Sequence, residues 1–320
     1  MNFLKKNLSI IIISFVIIFA FFDIYRNKKS VFKFEEMKSD YYNERLKNVI
    51  LLDKWRNLTD EELKNHNKNI KIFVSYHKPY TLWQHPYLIP IHLGKAVADR
   101  EYNTSSSKGK NTAIQLKWLK DNIKIADNIG KNISLLNREF GEMTGVFWVW
   151  KHYEEIGNPS HVGFFQYGKL IELDVVNEAT NYDMVIPKKF PTREGFDVKT
   201  TYKNSPVLQK LDYFQYIENV IKKVYPEQFE DYLEMIKQNN LYLLGNINIM
   251  KKEVFFEYCE WIFPILFELE RELLKIDIEK RDLRDIAYIT ELLHGMFFDR
   301  KIKEGAKVKT TTTLLITPFL

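Results

Sequence analysis

Ser75-Tyr76-His77-Lys78-Pro79 follows directly on a compact run of β-branched and aromatic residues, Lys71-Ile72-Phe73-Val74-Ser75-Tyr76. That run is a candidate first strand. Ligands of open α/β sheets collect beyond strand carboxyl ends, where an imidazole and an ammonium would offer cationic donors to a phosphate. The bland counterpart is an exposed basic turn. A second cluster, Asp127-Asn128-Ile129-Gly130-Lys131-Asn132-Ile133-Ser134, leads through Asn137 to Glu142-Met143-Thr144. Such loops supply directional donors and acceptors to sugar hydroxyls, though any polar surface loop reads the same way. Glu142 opens an aromatic helical pattern carrying Trp148 and Trp150. It is a candidate dipole partner, hydroxyl ligand or base, and the tryptophans read as core.

Three further groups complete the inventory. Gln166-Tyr167-Gly168-Lys169 ends a strand-like run from His161, and Glu172 and Asp174 lie beyond it as a weak Asp-x-Asp-like pair for Mg²⁺ or Mn²⁺. Asn246 and Asn248 place two amides in an apolar run, where each needs a partner or reaches into a site. Glu291 and His294 fall one turn apart on an apolar helix, read first as a satisfied interior pair and second as a carboxylate–imidazole couple.

The elements that would position these groups are strands alternating with helices. Strands are expected at residues 71–76, 161–167, 184–186 and 241–250, with a strand or an extended tail over 307–320. Helices are expected at 144–153, 211–224, 253–274 and 287–298, and Pro264 should kink or break the third of these. Alternation of this kind indicates an α/β domain with a mainly parallel sheet.

Ahead of that body, Leu8 to Phe22 is uncharged, follows Lys5 and Lys6, and is closed by Asp23 and Arg26. No small-x-small cleavage site follows, so residues 1–29 read as an uncleaved signal anchor, with residues 8–25 in the membrane. Positive charges on both sides and sequons at Asn57, Asn103 and Asn132 leave its orientation open. Residues 30–68 form a charged, helix-prone stem, with a helix start at Thr59, and residues 69–320 form the body.

Composition excludes several classes. There are 47 Lys+Arg against 42 Asp+Glu, a net charge of +5 without a basic stripe, which argues against a nucleic-acid partner. A single cysteine, Cys259, excludes an intramolecular disulfide framework. The 12 glycines include neither a dinucleotide fingerprint nor a P-loop, and zincin and nucleophile-elbow patterns are missing too.

Taken in order, residues 71–79, Pro90-Ile91-His92-Leu93-Gly94-Lys95-Ala96, residues 127–134, Glu142 through Lys151, Val162 through Tyr167 and Asn246 through Lys252 resemble the DUF4422 family of capsular-polysaccharide and lipopolysaccharide glycosyltransferases. The resemblance runs from about Lys71 to about Arg300. It implies a GT-A-like fold and transfer of a sugar from a nucleotide donor, UDP-linked foremost, to a glycan hydroxyl. It also places His77, Lys78, Asp127, Asn132 and Glu142 near the donor, with Asn246 and Glu291 lining the same cleft. Thr144, Gln166, Tyr167 and Lys169 join them as donor-binding candidates. Glu142 is the first candidate for the base and Glu291 the second. A divalent metal would be compatible, but no clear ligand motif is present. The family pattern Gly-x-x-His-Tyr-Arg-Arg is here Gly163-Phe164-Phe165-Gln166-Tyr167-Gly168-Lys169, so an imidazole becomes an amide and one arginine is lost. The alternative is therefore a non-catalytic nucleotide- or glycan-binding membrane protein that kept the fold.

Overall fold

The computed structural model describes residues 50–102, 107–205, 208–242 and 245–316. The expected anchor, and the stem up to residue 49, lie outside the described residues. Leu51–Leu320 form one compact unit. The described part of the stem packs onto the body: Trp55 is buried and its indole donates to the Ile171 carbonyl at 2.8 Å. Among the described residues no helix is long and apolar enough to cross a membrane.

The strands are β1 (Ile70–Tyr76), β2 (Leu88–His92), β3 (Ile125–Ala126), β4 (His161–Gln166), β5 (Lys169–Ile171), β6 (Met184–Pro187), β7 (Lys189–Pro191), β8 (Asn240–Tyr242), β9 (Asn248–Lys251), β10 (Val308–Thr311) and β11 (Thr313–Leu315). Among the described residues nine of them form one sheet, in the order β10-β6-β9-β4-β1-β2-β3, with β5 and β11 extending from the end of β4. The central run β4-β1-β2-β3 is parallel, as is β6 with β10, whereas β9 runs antiparallel to both β4 and β6. β7 and β8 make a separate antiparallel pair.

Period-two alternation sorts the strand side chains onto two cores. Phe73, Val162, Phe164, Met184, Ile186 and Met250 join one core. Ile70, Ile72, Val74, Tyr76, Phe165, Val185 and Ile249 join the other. Burial on both faces explains why β1 reads as an almost continuous apolar run.

Six helices matter for the site: α1 (Lys95–Tyr102), α2 (Met143–Lys151), α3 (Tyr213–Val224), α4 (Phe229–Ile236), α5 (Lys252–Leu273) and α6 (Asp285–Lys303). Buried residues of α2 to α6 build the first core. Of the kink or break expected at Pro264, the break does not occur: α5 runs unbroken through it. Proline cannot donate to the carbonyl four residues back. That carbonyl, Glu260, instead accepts the Tyr225 hydroxyl at 3.2 Å, so the acceptor orphaned by Pro264 keeps a partner.

Candidate active site

The strand directions bring the chemistry together. β1, β2 and β4 end at one edge of the sheet, and antiparallel β9 begins there. The β4–β9 register pairs Phe164 with Asn248, and Asn246, two residues before β9's partner to Phe164, meets Gln166 at the Glu142 carboxylate. Gly245, just before, has φ +117°, and a Cβ there would lie 2.9 Å from the Gln166 amide nitrogen and 3.1 Å from Lys169 Nζ. Glycine is what lets the β9 loop approach the end of β4 so closely.

Tyr167 is the pillar at this edge. Its ring lies 5.4 Å from that of His77 and 4.6 Å from that of Tyr80, and Lys78 Nζ sits 5.7 Å above it. Burial, then the neighbouring Tyr80 and Glu142, push its hydroxyl up to about 12. Cleft-wall desolvation, followed by the Lys78 and Arg284 cations, lowers the His77 imidazole to about 4. The ring still has an exposed face, so solvent moderates the first of these effects. His92, at the end of β2, is buried and is likewise held at about 4, by burial first and then by Lys95.

Below this mouth lies a polar cavity of about 40 Å³, lined by Glu142, Gln166, Asn246, Arg284, Glu291 and His294 among others. Glu142 occupies the N-cap position of α2, yet its side chain does not cap the helix. It accepts the Asn246 backbone N–H at 3.2 Å and interacts with the Gln166 side chain. Burial raises its carboxyl above the ordinary range, against the opposing pull of Lys169 and Arg284. Glu291 enters from α6. Burial, opposed by Lys169 and reinforced by Glu142, raises it to about 7. Its Oε2 has no hydrogen-bond partner among the described residues.

His294 lies one turn on, neutral and lowered to about 3 by burial, with Nε2 unpartnered and its ring against Tyr258 at 5.4 Å. The reading of Glu291 and His294 as a satisfied interior pair is therefore corrected: each presents an unpartnered atom, and both line the cavity. The two buried amides meet that demand only in part. Asn248 donates to Asn246 Oδ1 at 2.7 Å, leaving Asn246 Nδ2 and Asn248 Oδ1 without partners.

Asp127, Asn132 and Thr144 form a different cluster. The Asp127 carboxylate, fully buried, accepts the Gly94 and Lys95 backbone N–H groups at 2.8 and 3.1 Å and the Ser134 and Thr144 hydroxyls at 2.6 Å each. It thereby ties the start of α1, the 127–134 loop and the first turn of α2 into one unit. Asn132 hydrogen-bonds within its own loop, to Gly130 and Ser134. None of the three lines the cavity. Trp148 fastens the same loop through its indole bond to the Ile129 carbonyl at 3.0 Å.

Asp174 of the expected metal pair is bound to Lys54 at 2.5 Å, and among the described residues no three His, Cys, Asp or Glu side chains converge on one point. The residue that sequence reasoning missed is Arg284. It lines the cavity, and its charge acts on His77, Glu142, Tyr167 and Glu291. Nothing in Lys280-Arg281-Asp282-Leu283-Arg284-Asp285 distinguishes it from Arg281.

Comparison with known proteins agrees with this architecture. The family described as a domain of unknown function, DUF4422, matches residues 71–302. A search of curated proteins returns no match. Among solved structures, the apo form of the bifunctional glycosyltransferase WbbM superposes with a TM-score of 0.61 at 22% sequence identity, over 78% of this chain. The match spans 45% of that protein, so this chain corresponds to less than half of the neighbour's length. At that identity the likeness concerns the fold.

Proposed function

Because the chain belongs to the DUF4422 family, we propose that it is a glycosyltransferase, moving a sugar from a nucleotide-linked donor to a glycan hydroxyl. The observation that carries this reading is Glu291: a carboxyl raised by burial to about 7, with one buried, unpartnered oxygen, lining a cavity at the carboxyl end of β4. A general base works best when its pKa lies near the operating pH. Glu291 therefore takes the role of base ahead of Glu142, whose oxygen is engaged by the Asn246 N–H.

In this scheme the acceptor hydroxyl gives its proton to Glu291 as its oxygen attacks the anomeric carbon, and the bond from that carbon to the diphosphate breaks. The departing diphosphate gathers negative charge, which Lys169 and Lys78 are placed to offset. Glu142, holding the β9 loop through Asn246, keeps the cavity wall in register. UDP is the first candidate donor nucleotide, and residues 8–25 are the proposed membrane anchor, outside the described residues.

The test is a panel of UDP- and GDP-sugars incubated with the full chain and Mn²⁺, read for transfer to glycan acceptors and for donor hydrolysis. The proposal expects at least one donor to be consumed. Nucleotide binding without transfer or hydrolysis across the panel would instead favour the non-catalytic alternative.

A further inference from the structure

Two arginines of the segment leading into α6 have opposite fates. Arg281 is 2% exposed and is consumed by the fold, bonded to Asp285 at 2.8 Å and to Glu139 at 3.0 Å. Arg284, one turn on, is exposed at the cavity mouth, and among the described residues no carboxylate lies within ion-pair distance of its guanidinium. It occupies the N-cap position of α6 without its side chain capping the helix, so the helix start does not depend on it.

The wall beside it is shaped to admit it. Gly141 has φ +54°, and a Cβ there would stand 3.2 Å from Arg284 Nη2 and 3.0 Å from Ala287 Cβ. Lys78 stands over Tyr167 at the same mouth, and the charge of Lys169 acts on both cavity carboxyls. The two acids facing these cations line the cavity and are half-buried, and burial raises both. Arg284 and Lys78 thus bring positive charge to one mouth, as a ligand carrying more than one negative charge requires.

We propose that Arg284 binds the diphosphate of the nucleotide, its planar fork gripping phosphate oxygens in a way an ammonium cannot. This rests on the glycosyltransferase reading and adds to it a phosphate ligand from α6, remote in sequence from the strand ends. Gly168 offers an independent check. It lies between Tyr167 and Lys169, its φ is not in the left-handed region, and nothing lies within 4 Å of a Cβ placed on it. An arginine there reaches the same mouth from the β4 side.

The experiment is calorimetric titration of the full chain with UDP and GDP, each compared with its monophosphate, for wild type, Arg284→Gln and the double variant Arg284→Gln/Gly168→Arg. Loss of a charged hydrogen-bonding partner predicts diphosphate affinity about ten- to hundredfold weaker in Arg284→Gln. The monophosphate should change by less than about threefold, and the melting temperature should stay put. The double variant should recover a substantial part of the diphosphate affinity. Equal diphosphate affinity in wild type and Arg284→Gln would overturn the assignment. So would a lowered melting temperature with no recovery in the double variant, which would give Arg284 to folding. Wild type binding neither diphosphate would refute the functional reading itself, and this assignment with it.

Discussion

Replacing Glu291 by glutamine should make the protein more stable at alkaline pH while removing the proposed base. The carboxyl is raised from its ordinary 4.5 to about 7, chiefly by burial. Between those values the folded state holds a proton that the unfolded chain has already released, so stability falls as pH rises through the interval and levels off above about 7. A tenfold change in an ionisation constant corresponds to about 1.4 kcal/mol, so the full penalty approaches about 3 kcal/mol. Of this, about 2.5 kcal/mol accrues between pH 5 and pH 8.

Glutamine keeps the shape and carries no charge, so the gain of Glu291→Gln over wild type should grow by that amount across the interval. The groups that set the effect are Lys169 and Arg284, which oppose it, and Glu142, which adds to it. Other titrations largely cancel in the comparison. Urea denaturation of both proteins at pH 5 and pH 8 measures the difference through the midpoints and slopes. In thermal terms the swing is roughly 5–10 °C for a domain of this size. A stability difference that is the same at both pH values would refute the reasoning. So would wild type gaining on the variant as pH rises. A site that destabilises its own fold is what a functional carboxyl kept from solvent should look like.

Other consequences are equally concrete. Lys169→Met removes a charge that holds both cavity carboxyls down, so the acid limb of the pH–rate profile should move to higher pH; an unmoved limb would place Lys169 outside the cavity's electrostatics. Asp127→Asn turns an amide N–H₂ towards donors that a carboxylate now satisfies, and should cost about 3 kcal/mol or more in denaturant stability. Tyr225→Phe should cost about 0.5–1 kcal/mol by orphaning the Glu260 carbonyl, and adding Pro264→Ala should restore most of it by returning the N–H.

Much of the sheet was legible because β1, β4 and β6 are buried on both faces and so read as dense apolar runs. β2 escaped the strand reading because Pro90 sits within it. The structure accommodates the ring because β3 pairs only with Ile91 and His92 and leaves the outer side of Pro90 without a strand. The run 241–250 was read as one strand and is two, β8 and β9, which belong to different sheets. That Pro264 does not end its helix was hidden for a comparable reason, since the hydroxyl that takes up the Glu260 carbonyl belongs to Tyr225, far off in sequence. Within the site, Glu142, Glu291, Gln166 and Asn246 were each visible as polar residues in apolar or strand-end settings, but their convergence depends on β9 running antiparallel to β4. Asp127 looked like a sugar ligand because its loop is polar; its carboxylate is instead engaged by four protein donors. Arg284 carried no local signal, because only the tertiary contacts of Arg281 reveal which of the two arginines is left over.

The central claim is that Glu291 takes the acceptor proton, and the pH dependence of kcat/KM for sugar transfer tests it most directly. In wild type the rate should rise about tenfold per pH unit on the acid side and level off near 7, as the carboxyl at about 7 ionises. Glu291→Gln should lose about 10²–10⁴ in rate together with that limb. A wild-type profile flat from pH 5 to pH 8, or the same limb surviving in Glu291→Gln, would contradict it.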